Sequence, residues 1–185
     1  MYLAHVKQDA RGAWLEHQLE DHMRELDQLA AEMASGFNSE SWANVAGLWH
    51  DLGKYRPAFQ GYIKQASGYD PEAHIEQAKG KVDHSTAGAI YATQIEKAAG
   101  KLLAYLIAGH QAGLPDWETA EAGGSALSHG LDKGAKNGYL DEALKSDIPE
   151  DILKPEMKFD SMVVKMKKKR KITTVPLSYQ TNSVG

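Results

Sequence analysis

The 185-residue chain contains no cysteine. That excludes disulfides, thiolate nucleophiles and zinc sites built on sulfur, so a bound metal has only imidazole and carboxylate to hold it. Long apolar runs are missing as well. Nothing approaches the ~18 consecutive apolar residues of a membrane span, and the opening MYLAHVKQDA lacks the features of a secretory leader. A soluble, cytoplasmic protein with no membrane partner is expected. Strand-like alternation is nearly absent up to residue 160, and no internal repeat is visible.

Basic charge is scarce except at one end. Residues 161–185 carry Lys165, Lys167, Lys168, Lys169, Arg170 and Lys171 and no acid, so with a net charge of −4 overall the first 160 residues stand at −10. An acidic body is not the footprint of a simple DNA-binding module, which needs basic patches for phosphate. A nuclease escapes that exclusion, because bound metal ions attract phosphate locally.

What is present is helical periodicity. Residues 13–34 place Leu15, Leu19, Met23, Leu26, Ala30 and Met33 at steps of three and four, which predicts an amphipathic helix. Ser39 or Ser41 can cap a second helix running through WANVAGLWHDLGK, and Pro57 opens a third over 57–66. Residues 67–82 read as a polar loop. A fourth helix starts near Asp83, with Ala87, Tyr91 and Ile95 on one face, and a fifth, very apolar, covers 101–113. From 118 to 153 the pattern is weaker but helical. The fold class is therefore all-α: a helical body over residues 1–155, followed by an irregular basic tail over 156–185 that is expected to pack poorly.

Eight histidines are available, and four fall on apolar stripes. His22 lies beside Met23, between Leu19 and Leu26. His50 precedes Asp51 among Leu48, Trp49 and Leu52. His84 sits three, seven and eleven residues before Ala87, Tyr91 and Ile95, and His110 shares a face with Leu103, Leu106 and Ile107. Any one of them alone reads as a hydrogen-bonded core histidine. Four imidazoles and a carboxylate converging in one helical core carry a heavy desolvation cost, which a divalent metal offsets. An aspartate beside a ligand histidine can bridge two ions. His5, His74 and His129 lack periodic support and are assigned to loops or the surface, and His17 lies off the first stripe. Lys54, one turn beyond the pair, is placed to reach a phosphate or to stand as a solvated helix-end lysine.

A histidine, then His-Asp, then further histidines on separate helices resembles the HD superfamily of metal-dependent phosphohydrolases. LEDHMRELDQLA (19–30), GLWHDLGKYRPAFQGYI (47–63), VDHSTAGAIYA (82–92) and LIAGHQAGLPDW (106–117) are similar to successive motifs of the CRISPR-associated HD nuclease domain, over about residues 3–120. That domain is the nuclease part of the helicase-nuclease of type I interference. The resemblance implies an HD-domain helical bundle holding one or two divalent transition metal ions (manganese, iron, cobalt, nickel or zinc). It implies cleavage of single-stranded DNA, with a CRISPR surveillance complex and a helicase as partners. No G-x-x-x-x-G-K-[ST] loop occurs, so the helicase is expected on a separate chain or a missing segment.

Carried over, the metal ligands are His22, His50, Asp51, His84 and His110. Asp51 and Lys54 are the catalytic residues, and Ser85 is a residue that orients a ligand. One ion would lie among His22, His50 and Asp51, the other among Asp51, His84 and His110. Two departures stand out. Gln111 occupies the place of the family's second paired histidine, and an amide oxygen is a weaker ligand for late transition metals. The family's final aspartate has no clear equivalent, with Asp132, Asp141, Asp147, Asp151 and Asp160 lacking motif support. Truncation of the domain's last helix, or an out-of-frame ending, would account for both this and the basic tail.

Two other functions remain open at this point. One is an HD phosphohydrolase acting on nucleotides. The other is a degenerate HD domain with weak or no catalysis that serves as a binding partner.

Overall fold

A computed structural model describes residues 1–70, 82–95, 99–114, 116–119 and 126–156, excepting the side chains of Gln111 and Ala112. The body is mainly helical, as expected, but the chain opens with a β-hairpin. Strand β1 (Leu3–Gln8) pairs antiparallel with β2 (Trp14–Gln18), and His5 lies opposite His17 and Lys7 opposite Leu15. Helix α1 therefore runs Leu19–Ala34 rather than from residue 13. The physical reason is local turn chemistry. The Asp9 carboxylate accepts the N–H groups of Arg11 (2.8 Å) and Ala13 (2.9 Å), and Gly12 takes φ +82°, so the chain reverses before the helix can begin.

Helix α2 (Glu40–Trp49) ends one residue before the His-Asp pair, and a 3-10 turn follows over Leu52–Tyr55. His50 and Asp51 thus occupy the junction of two helical segments, not the interior of one helix. Next come α3 (Pro57–Ser67), α4 (Thr86–Ile95) and α5 (Gly100–Ala112), then α6 (Leu127–Lys136), α7 (Tyr139–Leu144) and the short α8 (Glu150–Leu153). His84 precedes α4 instead of riding on it, which corrects the expectation that four helices each carry one histidine. Residues 71–81 of the loop assigned to 67–82, with His74, and the tail from 157, with Asp160, lie outside the described residues.

Leu19 and Met23 of α1, Val45 and Trp49 of α2, Leu52 and Tyr55 of the turn, and Leu103 and Ile107 of α5 are fully buried around one core. Each such side chain contributes on the order of 2 kcal/mol by leaving water. Trp49 donates its indole N–H to the Ile152 carbonyl (2.9 Å), and the Tyr91 hydroxyl donates to Leu153 (2.9 Å), so α8 closes the far side. Leu106, Met33 and Ile95, read from spacing as core, are exposed instead. Two close approaches bring the site together. A Cβ on Gly88 would collide with the Trp49 carbonyl, and one on Gly53 with the His84 backbone, so glycine lets α4 and its leading loop press against the His-Asp junction. Among the described residues, no helix is long and apolar enough to cross a membrane.

Candidate metal centre

Asp51 is only 2% exposed, and four imidazoles from four segments point at its carboxylate. His22 Nε2, from the first turn of α1, is 3.2 Å from Oδ2, and His50 Nε2 is 3.0 Å from the same oxygen. On the other side His84 Nε2 lies 3.5 Å and His110 Nε2 3.7 Å from Oδ1. Two sets of ligand atoms close enough to hold a metal ion result: His22, His50 and Asp51, and Asp51, His84 and His110. The carboxylate belongs to both. All five expected ligand positions are therefore brought together.

The hydrogen bonds at the far side of the rings determine what the near side can do. His50 Nδ1 donates to the Gly47 carbonyl (2.6 Å), His110 Nδ1 to Ile107 (2.5 Å) and His84 Nδ1 to Val82 (3.4 Å). A carbonyl only accepts, so the proton sits on Nδ1 and a neutral ring turns its Nε2 lone pair toward the carboxylate. Burial pushes both His84 and His110 below their ordinary pKa, favouring the neutral form. Lone pairs of neutral imidazoles facing lone pairs of a carboxylate repel unless a cation lies between them. Asp51 Oδ1, buried with no hydrogen-bond partner, marks the same demand. The donor set fits a divalent transition metal: nitrogen and oxygen ligands, with tautomers fixed from behind.

Burial by itself would raise the Asp51 pKa. The hydrogen bond from His22 and the charge of Lys54 outweigh it and hold the carboxyl well below the usual carboxylate range. Lys54 is buried at 4% exposure, its Nζ 2.8 Å from Asp51 Oδ2 and donating to the Ala4 carbonyl at 3.2 Å. Its ammonium is therefore directed at the carboxylate and the hairpin, and not at solvent. Ser85 is buried directly behind His84, where its carbonyl accepts the Ala89 N–H. Gln111 lies in α5 next to His110, and its side chain is outside the described residues. None of Asp132, Asp141, Asp147 and Asp151 joins either ligand set, and Asp151 is paired with Arg24 at 3.0 Å.

Three residues near the centre escaped the sequence reading. His5 and His17, on the hairpin, place their rings edge-on to His22 at centroid distances of 4.8 and 5.2 Å. Burial, with the charges of Lys54 and His22, pushes the His5 pKa down to about 4. The signal was the Asp-x-x-Gly turn at 9–12, which marks a chain reversal ahead of the helix. Arg56, 6% exposed, donates from Nε to Glu142 (2.8 Å) and toward the Asp83 carbonyl (3.3 Å) while lying 3.7 Å from the Tyr139 ring centroid. It braces the loop that carries His84. His129, assigned to the surface, is exposed on α6.

Comparison with known proteins adds a family. The model described as "Cas3, HD domain" matches residues 7–152. No curated protein matches the chain.

Proposed function

The chain belongs to the family of Cas3 HD domains, and from that premise we propose that it is a metal-dependent nuclease that hydrolyses phosphodiester bonds of single-stranded DNA in CRISPR type I defence. The observation that carries this reading is the shared carboxylate: Asp51 lies in both candidate metal sets, each completed by two imidazoles. A divalent ion held there would lower the pKa of water toward neutrality and polarise a phosphate oxygen.

The chain's own residues supply the framework. His22 and His50 hold one set, His84 and His110 the other, and the backbone carbonyls of Gly47 and Ile107 keep His50 and His110 turned inward. Lys54 holds the Asp51 carboxylate in place and compensates its buried charge. The acidic body of the protein makes this concentration of cations the place where a phosphate is attracted. A helicase and a surveillance complex are the expected partners, through which single-stranded substrate would be delivered.

The test is hydrolysis of single-stranded DNA and of a nucleotide panel with manganese, cobalt, nickel or zinc. Metal-dependent nicking of the DNA that disappears in His50→Ala is expected. Turnover of nucleotides with the DNA left intact would sink the nuclease reading.

A further inference from the structure

Resting on that reading of the chain as a single-strand nuclease, we propose that the hairpin face carrying His5, Lys7, Leu15 and His17 is the surface on which the substrate strand lies as it runs past the metal centre. Residues directly opposed in an antiparallel pair share a face, and so do residues two apart along a strand. The register sets His5 against His17 and Lys7 against Leu15, so these four side chains form one face. The opposite face, Val6, Gln8, Trp14 and Glu16, is engaged by the segment after α3. Trp14 packs edge-on to Tyr69 at 5.3 Å, and the Tyr69 hydroxyl donates to Glu16 at 2.5 Å.

The first face begins at the metal centre and leads away from it. His5 and His17 both touch His22, a ligand of the first set, and Lys7 follows ~7 Å further along the strand at ~3.4 Å per residue. Lys7 is exposed, and Leu15 beside it is 47% exposed. An apolar side chain next to a cation, continuous with imidazole donors, suits a single strand, which offers unstacked base faces and phosphates in alternation. Glu25 faces His17, its carboxylate 3.1 Å from Nε2.

The hairpin is fastened to the catalytic turn, so the face keeps its place relative to Asp51. The Gln60 side-chain amide accepts the Leu3 N–H (2.9 Å) and donates to the carbonyls of Leu3 (3.0 Å) and Lys54 (2.8 Å). Lys54 itself joins Ala4 to Asp51.

The experiment places the photo-crosslinking residue p-benzoylphenylalanine at Leu15 in one variant and at Met33 in another. Met33 is 69% exposed and lies eleven residues along α1 from His22, ~16 Å away at ~1.5 Å per residue. Each is irradiated with manganese and a phosphorothioate single-stranded oligonucleotide that resists cleavage. Crosslinking at position 15 at least tenfold above position 33, competed by unmodified single-stranded DNA, is expected. Lys7→Glu should reduce it severalfold and lower the salt dependence of binding by about one phosphate contact. A strand that binds but crosslinks equally at both positions, or only at 33, overturns the hairpin assignment alone. A wild-type protein that binds no single-stranded DNA removes the nuclease reading together with it.

Discussion

Asp51 carries two burdens: it must stay ionised while 2% exposed, and it must serve two ligand sets. Lys54 makes the first possible when no metal is bound, because its ammonium lies 2.8 Å from Oδ2 in a site closed to solvent. Removing one partner of a buried pair strands the other charge. Lys54→Met is therefore predicted to destabilise the metal-free protein by about 3–5 kcal/mol, with added manganese recovering part of the loss. Urea denaturation with and without the ion measures both. The two lysine roles suggested by sequence differ in this respect, since a solvated helix-end lysine would cost almost nothing to replace. Burial of Lys54 could not be read from its spacing. It follows from the Ala4 carbonyl, which the hairpin brings over the turn.

The histidines give the site a pH dependence with a definite sign. Burial lowers His84 and His110 below the ordinary value of 6.5, and His5 to about 4. As pH falls through 6.5 the unfolded chain takes up protons that these folded rings still refuse, so stability decreases. Asp51 acts in the same direction at more acidic pH, because its folded carboxyl ionises more readily than the unfolded one. The melting temperature of the metal-free protein should be nearly flat above about pH 7.5 and fall steadily below 6.5. A melting temperature that rises on acidification would contradict neutral imidazoles at the centre.

At the scale of elements, the segments that matter are those that fix the loop ahead of α4. Gly53 donates its N–H to the His84 carbonyl (3.0 Å), and Arg56 ties the adjoining Asp83 to α7 through Glu142 and Tyr139. Arg56→Ala is predicted to weaken the Asp51–His84–His110 set by about 10–100-fold in metal affinity, the usual cost of losing a supporting partner. The His22–His50–Asp51 set should keep its affinity. Calorimetric titration with manganese separates the two, and an equal loss at both sets would mean that Arg56 supports the fold and not His84.

Helices α2 to α5 were legible from their apolar steps, and the ligand histidines from their places beside those steps. The hairpin was not legible from periodicity, and only the Asp-x-x-Gly turn at 9–12 hinted at it. Leu15 falls four residues before Leu19, so the helical period runs on through a stretch that is a strand. Pairing with β1 and the Gln60 clamp decide its conformation, and neither leaves a mark on local periodicity. His84 was assigned to a helix for a similar reason: its spacing to Ala87 and Tyr91 is helical, yet Asp83 caps α4 by accepting the Thr86 N–H at 3.0 Å. His84 instead stands at a loop end, where Gly53 reaches its carbonyl.

Across the whole molecule, an acidic body surrounds one concentration of imidazoles around a buried carboxylate. A protein at −10 over its first 160 residues repels nucleic acid in general, so attraction has to be local and supplied by bound cations. Tryptophan and tyrosine from α2 and α4 reach across to α8, which keeps the sides of the core together around the centre. The match to the Cas3 HD domain over residues 7–152 spans all of these elements except the start of β1 and the end of α8. Among the described late aspartates Asp151 pairs with Arg24, and none of them joins either ligand set.

Metal content per chain, measured by elemental analysis after equilibration with manganese and removal of free ion, tests the central claim most directly. The wild type should retain at least one ion, His110→Ala should weaken only the set it belongs to, and Asp51→Asn should retain none, because its carboxylate is common to both sets. A folded Asp51→Asn protein that binds metal as the wild type does would contradict the account.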